Sequence, residues 1–207
     1  MPLLTALEYA SVFVFALTGA LVASRAQLDL IGFVFIGALT AVGGGTVRDV
    51  ILNRDTVFWV ANPSIIGVAA TAAIIVFFTA HLLESRYRGI IWLDALALAV
   101  AVPSGVGVAL AMGQSWPVII IMGITTGCIG GLMRDVVCNE VPLVLKQGEL
   151  YVTCALAGAS TTVIALAFGL PEGIALLACA GATFALRSGS IALGWCLPVY
   201  KSFPPRQ

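Results

Sequence analysis

The stretch 43-GGGTVRDVILN-53 closes one long apolar run, and 129-IGGLMRDVVCN-139 closes another. Neither belongs there by composition. Glycine disfavours a helix by about 1 kcal/mol relative to alanine, and a charged side chain at the bilayer centre costs at least about 2.5–3.5 kcal/mol on insertion scales. Sliding the chain on itself by 86 residues superimposes the two stretches without a gap, pairing Gly44 with Gly130, Gly45 with Gly131, Arg48 with Arg134, Asp49 with Asp135 and Asn53 with Asn139. Over positions 37–53 eight of seventeen residues are identical, Gly37/Gly123 and Thr40/Thr126 among them. The same offset pairs Glu8 with Asp94, Thr18 with Ser104 and Gly19 with Gly105, so the repeated unit is far longer than its glycine-rich part.

The surroundings of the repeat are membrane-like. Of 207 residues 60% are hydrophobic and only 10% charged, against about 25% charged in soluble domains, and the mean hydropathy is +1.08. Ten basic and ten acidic side chains cancel, which removes any case for nucleic acid as a partner. Seven apolar runs are long enough to cross a bilayer of about 20 residues' depth, near residues 3–24, 28–50, 62–83, 91–112, 116–138, 149–169 and 172–193. The first reads as a span and not as a cleaved leader, since it lacks a basic flank and Glu8 interrupts it.

The expected fold is therefore an all-α membrane protein: a first three-helix repeat over 1–88, a second over 89–170, and a seventh helix with a tail over 171–207. Three is odd, so the second repeat enters the membrane from the opposite side, and the halves are inverted about an axis in the membrane plane. Basic residues in short loops orient the whole. Arg25, Arg86, Arg88, Lys146, Lys201 and Arg206 fall on one side, with Arg187 leaning the same way, and little beyond Arg54 falls on the other. The N-terminus is expected outside and the C-terminus in the cytoplasm.

Local propensity predicts a break or kink at Gly43, Gly44 and Gly45, and again at Gly130 and Gly131. Broken backbone at membrane depth must face protein or water, so both breaks should point inward and converge on the symmetry axis. Arg48, Asp49, Arg134 and Asp135 either form buried pairs or snorkel to the headgroups. Neighbours on a helix point about 100° apart, and the inverted symmetry suggests reciprocal pairing, Arg48 with Asp135 and Arg134 with Asp49. Glu8 and Asp94 read as an acid at each pore mouth, or as plain acids near helix N-termini. Thr18, Ser104, Thr40 and Thr126 either line a polar path or bond their own backbone.

Five cysteines without CxxC spacing read as small core residues. No His/Cys/carboxylate cluster, nucleophile elbow or phosphate loop is present, which argues against an enzyme, a metal site or a resident cofactor. Two functions remain open. A channel needs a continuous wet path with weak sites; an alternating-access transporter of glycine or another small neutral solute needs one occluded site. The lack of a dense polar cluster favours the channel.

With duplicated Gly-Gly-x-x-x-Arg-Asp segments on the second span of each half and a seventh helix after them, the chain resembles the bacterial members of the trimeric intracellular cation channel (TRIC) family, a class also described as a putative glycine transporter domain. The resemblance covers nearly the whole chain. It implies a homotrimer in the bacterial plasma membrane, each subunit with its own pore for monovalent cations, mainly K+ with Na+ as the other candidate, bounded by kinked second and fifth helices. Gly43, Gly44, Gly45, Gly130 and Gly131 match the family's kink positions. Membrane lipid is the other partner it implies; animal members carry a lysine-containing, lipid-associated stretch where this chain has Arg48-Asp49.

Overall fold

The structure, a computed structural model, describes residues 2–82, 86–147 and 149–198, and all regular structure among them is helical. The helices are α1 (Pro2–Arg25), α2 (Leu30–Ile51), a single turn α3 (Phe58–Ala61), α4 (Ser64–Thr79), α5 (Arg86–Ala111), α6 (Trp116–Val137), α7 (Val152–Ala167) and α8 (Glu172–Leu193). Six spans, counting α4 with the 3-10 turn after it, have the length and apolarity to cross a membrane. The sixth in order, α7, has 16 residues and rises about 24 Å. The seven expected spans are present, with two differences at the joints. α5 begins at Arg86 and takes in Gly89, and the connection before α4 carries α3. Lys201, Arg206 and the side chain of Arg86, used above for orientation, lie outside the described residues.

The fold repeats its contacts as it repeats its sequence. α1 packs on α5, α2 and α4, while α5 packs on α1, α6 and α7, and α2 meets α6 at the centre. The last helix, α8, has no partner in the repeat and lies against α7 and α5. Ala16, Ala20, Ala95, Ala97 and Ala101 are almost wholly buried at the α1–α5 centre, where small side chains let the backbones approach. Ile31, Phe35, Phe78, Ile121 and Ile164 are exposed, as expected of faces turned to lipid or a further subunit.

The repeated motif also carries its own stop signal. Asn53 and Asn139 have φ of 51° and 55°, the left-handed geometry that asparagine tolerates better than most residues. The amide after each closes the helix: Arg54 N donates to the Asp49 carbonyl at 3.0 Å, and Glu140 N to the Asp135 carbonyl at 2.8 Å. The helix therefore ends one turn beyond each Arg-Asp pair, fixing its depth.

Candidate functional site

Of the break or kink expected at the glycines, a break is absent: α2 is helical through residues 43–45, and α6 through 130 and 131. In lipid an intact ladder satisfies every backbone group, which outweighs the glycines' weak propensity. The glycines serve close approach instead. A Cβ on Gly44 would overlap the carbonyl oxygen of Thr126, and one on Gly130 would overlap that of Thr40, so α2 and α6 cross backbone to backbone at symmetric points. Gly19 meets the Ile36 carbonyl where a Cβ would come within 2.7 Å, and Gly105 meets the Met122 carbonyl at 2.5 Å, repeating the arrangement between α1 and α2 and between α5 and α6.

On each side of this crossing sits one buried ion cluster. In the first half Arg48 donates from Nε to Asp49 Oδ1 at 2.7 Å and from Nη2 to Glu8 Oε1 at 3.4 Å. Asp49 Oδ2 accepts from the amide of Phe58 at 2.8 Å, and Arg54 Nη1 reaches both Asp49 oxygens at 3.2 Å. In the second half Arg134 donates from Nε to Asp135 Oδ1 at 2.7 Å and from Nη1 to Asp94 Oδ1 at 3.1 Å and Thr18 Oγ1 at 3.0 Å. Asp135 Oδ2 accepts from the amide of Leu143 at 2.9 Å.

Two expectations are corrected here. The reciprocal pairing of Arg48 with Asp135 and of Arg134 with Asp49 does not occur; each arginine is paired within its own half. Its long side chain folds back so that Nε meets the neighbouring carboxylate, which the 100° between adjacent Cβ directions does not prevent. Nor do the side chains snorkel, since Arg48 and Arg134 are 1% and 0% exposed. Glu8 and Asp94, expected as an acid at each pore mouth, are the second partners of the two arginines, Asp94 fully buried and the Glu8 side chain 20% exposed.

The hydroxyls divide. Thr40 and Thr126 bond their own backbone, at 2.6 Å to the Ile36 carbonyl and 2.7 Å to that of Met122. Thr18 also bonds its own helix, at the Phe15 carbonyl, while accepting from Arg134. Ser104 is buried and lines a space of about 10 Å3 with Glu8, Arg48 and Thr126, room for roughly one water. A larger cavity of about 150 Å3 opens beyond the second cluster and includes Arg25, Tyr87, Asp135, Glu140 and Lys146. There Arg25 and Lys146 flank the Tyr87 ring, 5.3 Å and 4.7 Å from its centroid. The Lys146 ammonium is held above its ordinary pKa, first by its hydrogen bond to the Tyr87 hydroxyl. The five cysteines are free, and among the described residues no cluster of metal-ligating side chains occurs.

Arg54, Phe58, Tyr151 and Arg187 join the site without having been singled out for it. One signal was available: Glu8 precedes Arg48 by 40 residues, and Asp94 precedes Arg134 by the same 40.

Two inverted halves, each burying an ion cluster beside a shared helix crossing, define a multi-pass membrane protein of inverted-repeat architecture. A family model described as Glycine transporter matches the chain twice, over residues 5–81 and 91–167. The fold superimposes with a TM-score of 0.91 on the TRIC trimeric intracellular cation channel orthologue from Rhodobacter sphaeroides, 40% identical, covering 94% of this chain and 100% of that one. The chain belongs to the TRIC family. A prokaryotic TRIC channel solved in 0.5 M KCl is 25% identical with a TM-score of 0.86, over 94% of this chain and 98% of that one. Among curated relatives, a UPF0126 membrane protein of Vibrio cholerae is 36% identical over 192 residues, 90% of this chain and 78% of the relative. The UPF0126 inner membrane protein YadS of Escherichia coli is 33% identical over 199 residues, 94% of each.

Proposed function

We propose that this protein is a monovalent cation channel, selective for potassium, with a pore inside each subunit of a homotrimer in a bacterial plasma membrane. The observation that carries the reading is the likeness to the R. sphaeroides trimeric channel orthologue across the whole of that chain. The site supports it. Each half holds two carboxylates against a buried arginine, with Arg54 added in the first half only. With Arg54 counted the first cluster is neutral, while the second carries one more negative than positive charge, an arrangement that attracts cations and repels anions there. In this reading the tight α2–α6 crossing between small cavities is the closed state of the pathway, which conduction opens by separating the two arginines from their outer partners, Glu8 and Asp94.

Purified protein in planar bilayers under a potassium gradient is expected to give discrete unitary currents reversing near the potassium potential. Glycine-dependent uptake without unitary events would establish the transporter instead. The orientation has its own test. With Cys138 and Cys196 replaced, a cysteine at Gly113 should be labelled from outside in intact cells, and one at the exposed Val141 should not. The opposite pattern would invert the topology.

A further inference from the structure

The repeat leaves α8 unexplained, yet α8 carries the third fully buried arginine. Arg187 donates from Nη1 to the Leu150 carbonyl at 2.9 Å and from Nη2 to Glu149 Oε2 at 2.8 Å. Its guanidinium carbon lies 5.0 Å from the centroid of the Tyr151 ring. One turn on, Ser190 Oγ accepts from Leu150 N and donates to the Trp195 carbonyl, both at 2.8 Å. The Trp195 ring lies over Gly189, where any Cβ would overlap it. Residues 149–151 are thus held by α8 and by the segment that folds back after it.

What they hold is the lid of the second cluster. Tyr151 is 3% exposed. Its hydroxyl lies 3.4 Å from the point where a Cβ on Gly131 would sit, and Arg134 Nη2 and Asp94 Oδ1 each lie 3.6 Å from that same point. Arg134 Nη2 has no hydrogen-bond partner among the described residues, and the Tyr151 hydroxyl hydrogen-bonds Asp94, the acid that pairs with that arginine. In the first half the matching positions, 86 residues earlier, hold Pro63, Ser64 and Ile65. Arg48 is covered by the Phe58 ring of its own half, 5.4 Å to the centroid, and its bond to Glu8 is the longer one.

We propose that α8 positions the second cluster: Arg187 and Glu149 fix Tyr151 over Arg134 and Asp94, making the two halves of the pathway unequal. The inference rests on the channel reading. Two equal barriers related by inversion pass equal currents at opposite voltages, whereas unequal ones rectify, and here the inequality would be set by a helix outside the repeat. Tyr151, Glu149 and Arg187 are positioning residues in this scheme.

Rectification is measured in patches from cells, where the chain has a single orientation. Tyr151→Phe removes only the hydroxyl and should change the ratio of currents at equal and opposite voltages by about threefold, the worth of one modest hydrogen bond. Arg187→Gln should move the ratio the same way, and Arg187→Glu combined with Glu149→Arg should return it toward wild type. A ratio unchanged by Tyr151→Phe overturns the proposal, as does an exchanged pair no closer to wild type than Arg187→Glu alone. If Arg187 variants are not recovered as folded protein, Tyr151→Phe decides. If wild-type patches carry no current, the channel reading falls by itself, and the latch is judged by thermal unfolding. Arg187→Gln and Asp94→Asn must then be non-additive, and additive again in Tyr151→Phe; additivity throughout removes the latch.

Discussion

Gly130→Ala is expected to destabilise the protein and suppress its current, while Gly131→Ala, one residue along, is expected to do neither. The difference lies in what a methyl group meets. On Gly130 it collides with the Thr40 carbonyl, a backbone atom of α2 that cannot move without its helix, and on Gly44 it collides with the Thr126 carbonyl. Overpacking of this kind costs about 1–3 kcal/mol, and leucine at either position more. On Gly131 the nearest atoms stand at 3.4–3.6 Å, ordinary contact, and alanine regains about 1 kcal/mol of helix propensity. Gly45 is intermediate: its methyl would come within 2.6 Å of the Phe58 ring, a side chain that can shift. Thermal midpoint and unitary current should therefore rank Gly131→Ala near wild type, Gly45→Ala next, and Gly44→Ala with Gly130→Ala lowest. Glycines acting as flexible hinges predict instead that Gly131→Ala impairs current as much as Gly130→Ala, and that result would restore the broken-helix view.

That ranking shows where sequence reasoning reached and where it stopped. The repeat, the seven spans and the inverted halves are legible because hydropathy and an 86-residue offset act along the chain and need no partner. The Arg-Asp segments stand out because charges in apolar runs must be accounted for. A break at Gly43, Gly44 and Gly45 does not form because propensity is a local quantity, whereas the ladder is preserved by the membrane's intolerance of unpaired backbone. The pairing of Arg48 and Arg134 was misjudged for a related reason. Symmetry permits pairing across halves or within them, and only the packing of α1 on α2 and of α5 on α6 brings Glu8 and Asp94 to the arginines. Arg187 and Tyr151 had no repeat partner to mark them, so Arg187 read only as one more basic residue near a helix end, and nothing set Tyr151 apart.

Removing Arg134 is expected to be the most damaging charge change in the molecule, and clearly worse than removing its counterpart Arg48. Arg134→Met leaves Asp94 and Asp135 without a cation, with side chains 0% and 5% exposed, and an uncompensated buried charge costs about 3–5 kcal/mol. Arg48→Met leaves Asp49 with Arg54 and the Phe58 amide, and leaves Glu8 able to reach water through its 20% exposed side chain. Adding Asp94→Asn and Asp135→Asn to Arg134→Met should recover much of the loss, because no charge is then orphaned. Thermal unfolding of the purified variants gives the coupling directly. Arg134 with Asp94 should show a large interaction energy, Arg48 with Glu8 a smaller one, and Arg48 with Asp135, which the structure keeps apart, none beyond about 0.3–0.5 kcal/mol. Appreciable coupling between Arg48 and Asp135 would mean that the two clusters exchange partners during the working cycle. Equal losses for Arg48→Met and Arg134→Met would mean that Arg54 and the partial exposure of Glu8 supply no compensation in the first half.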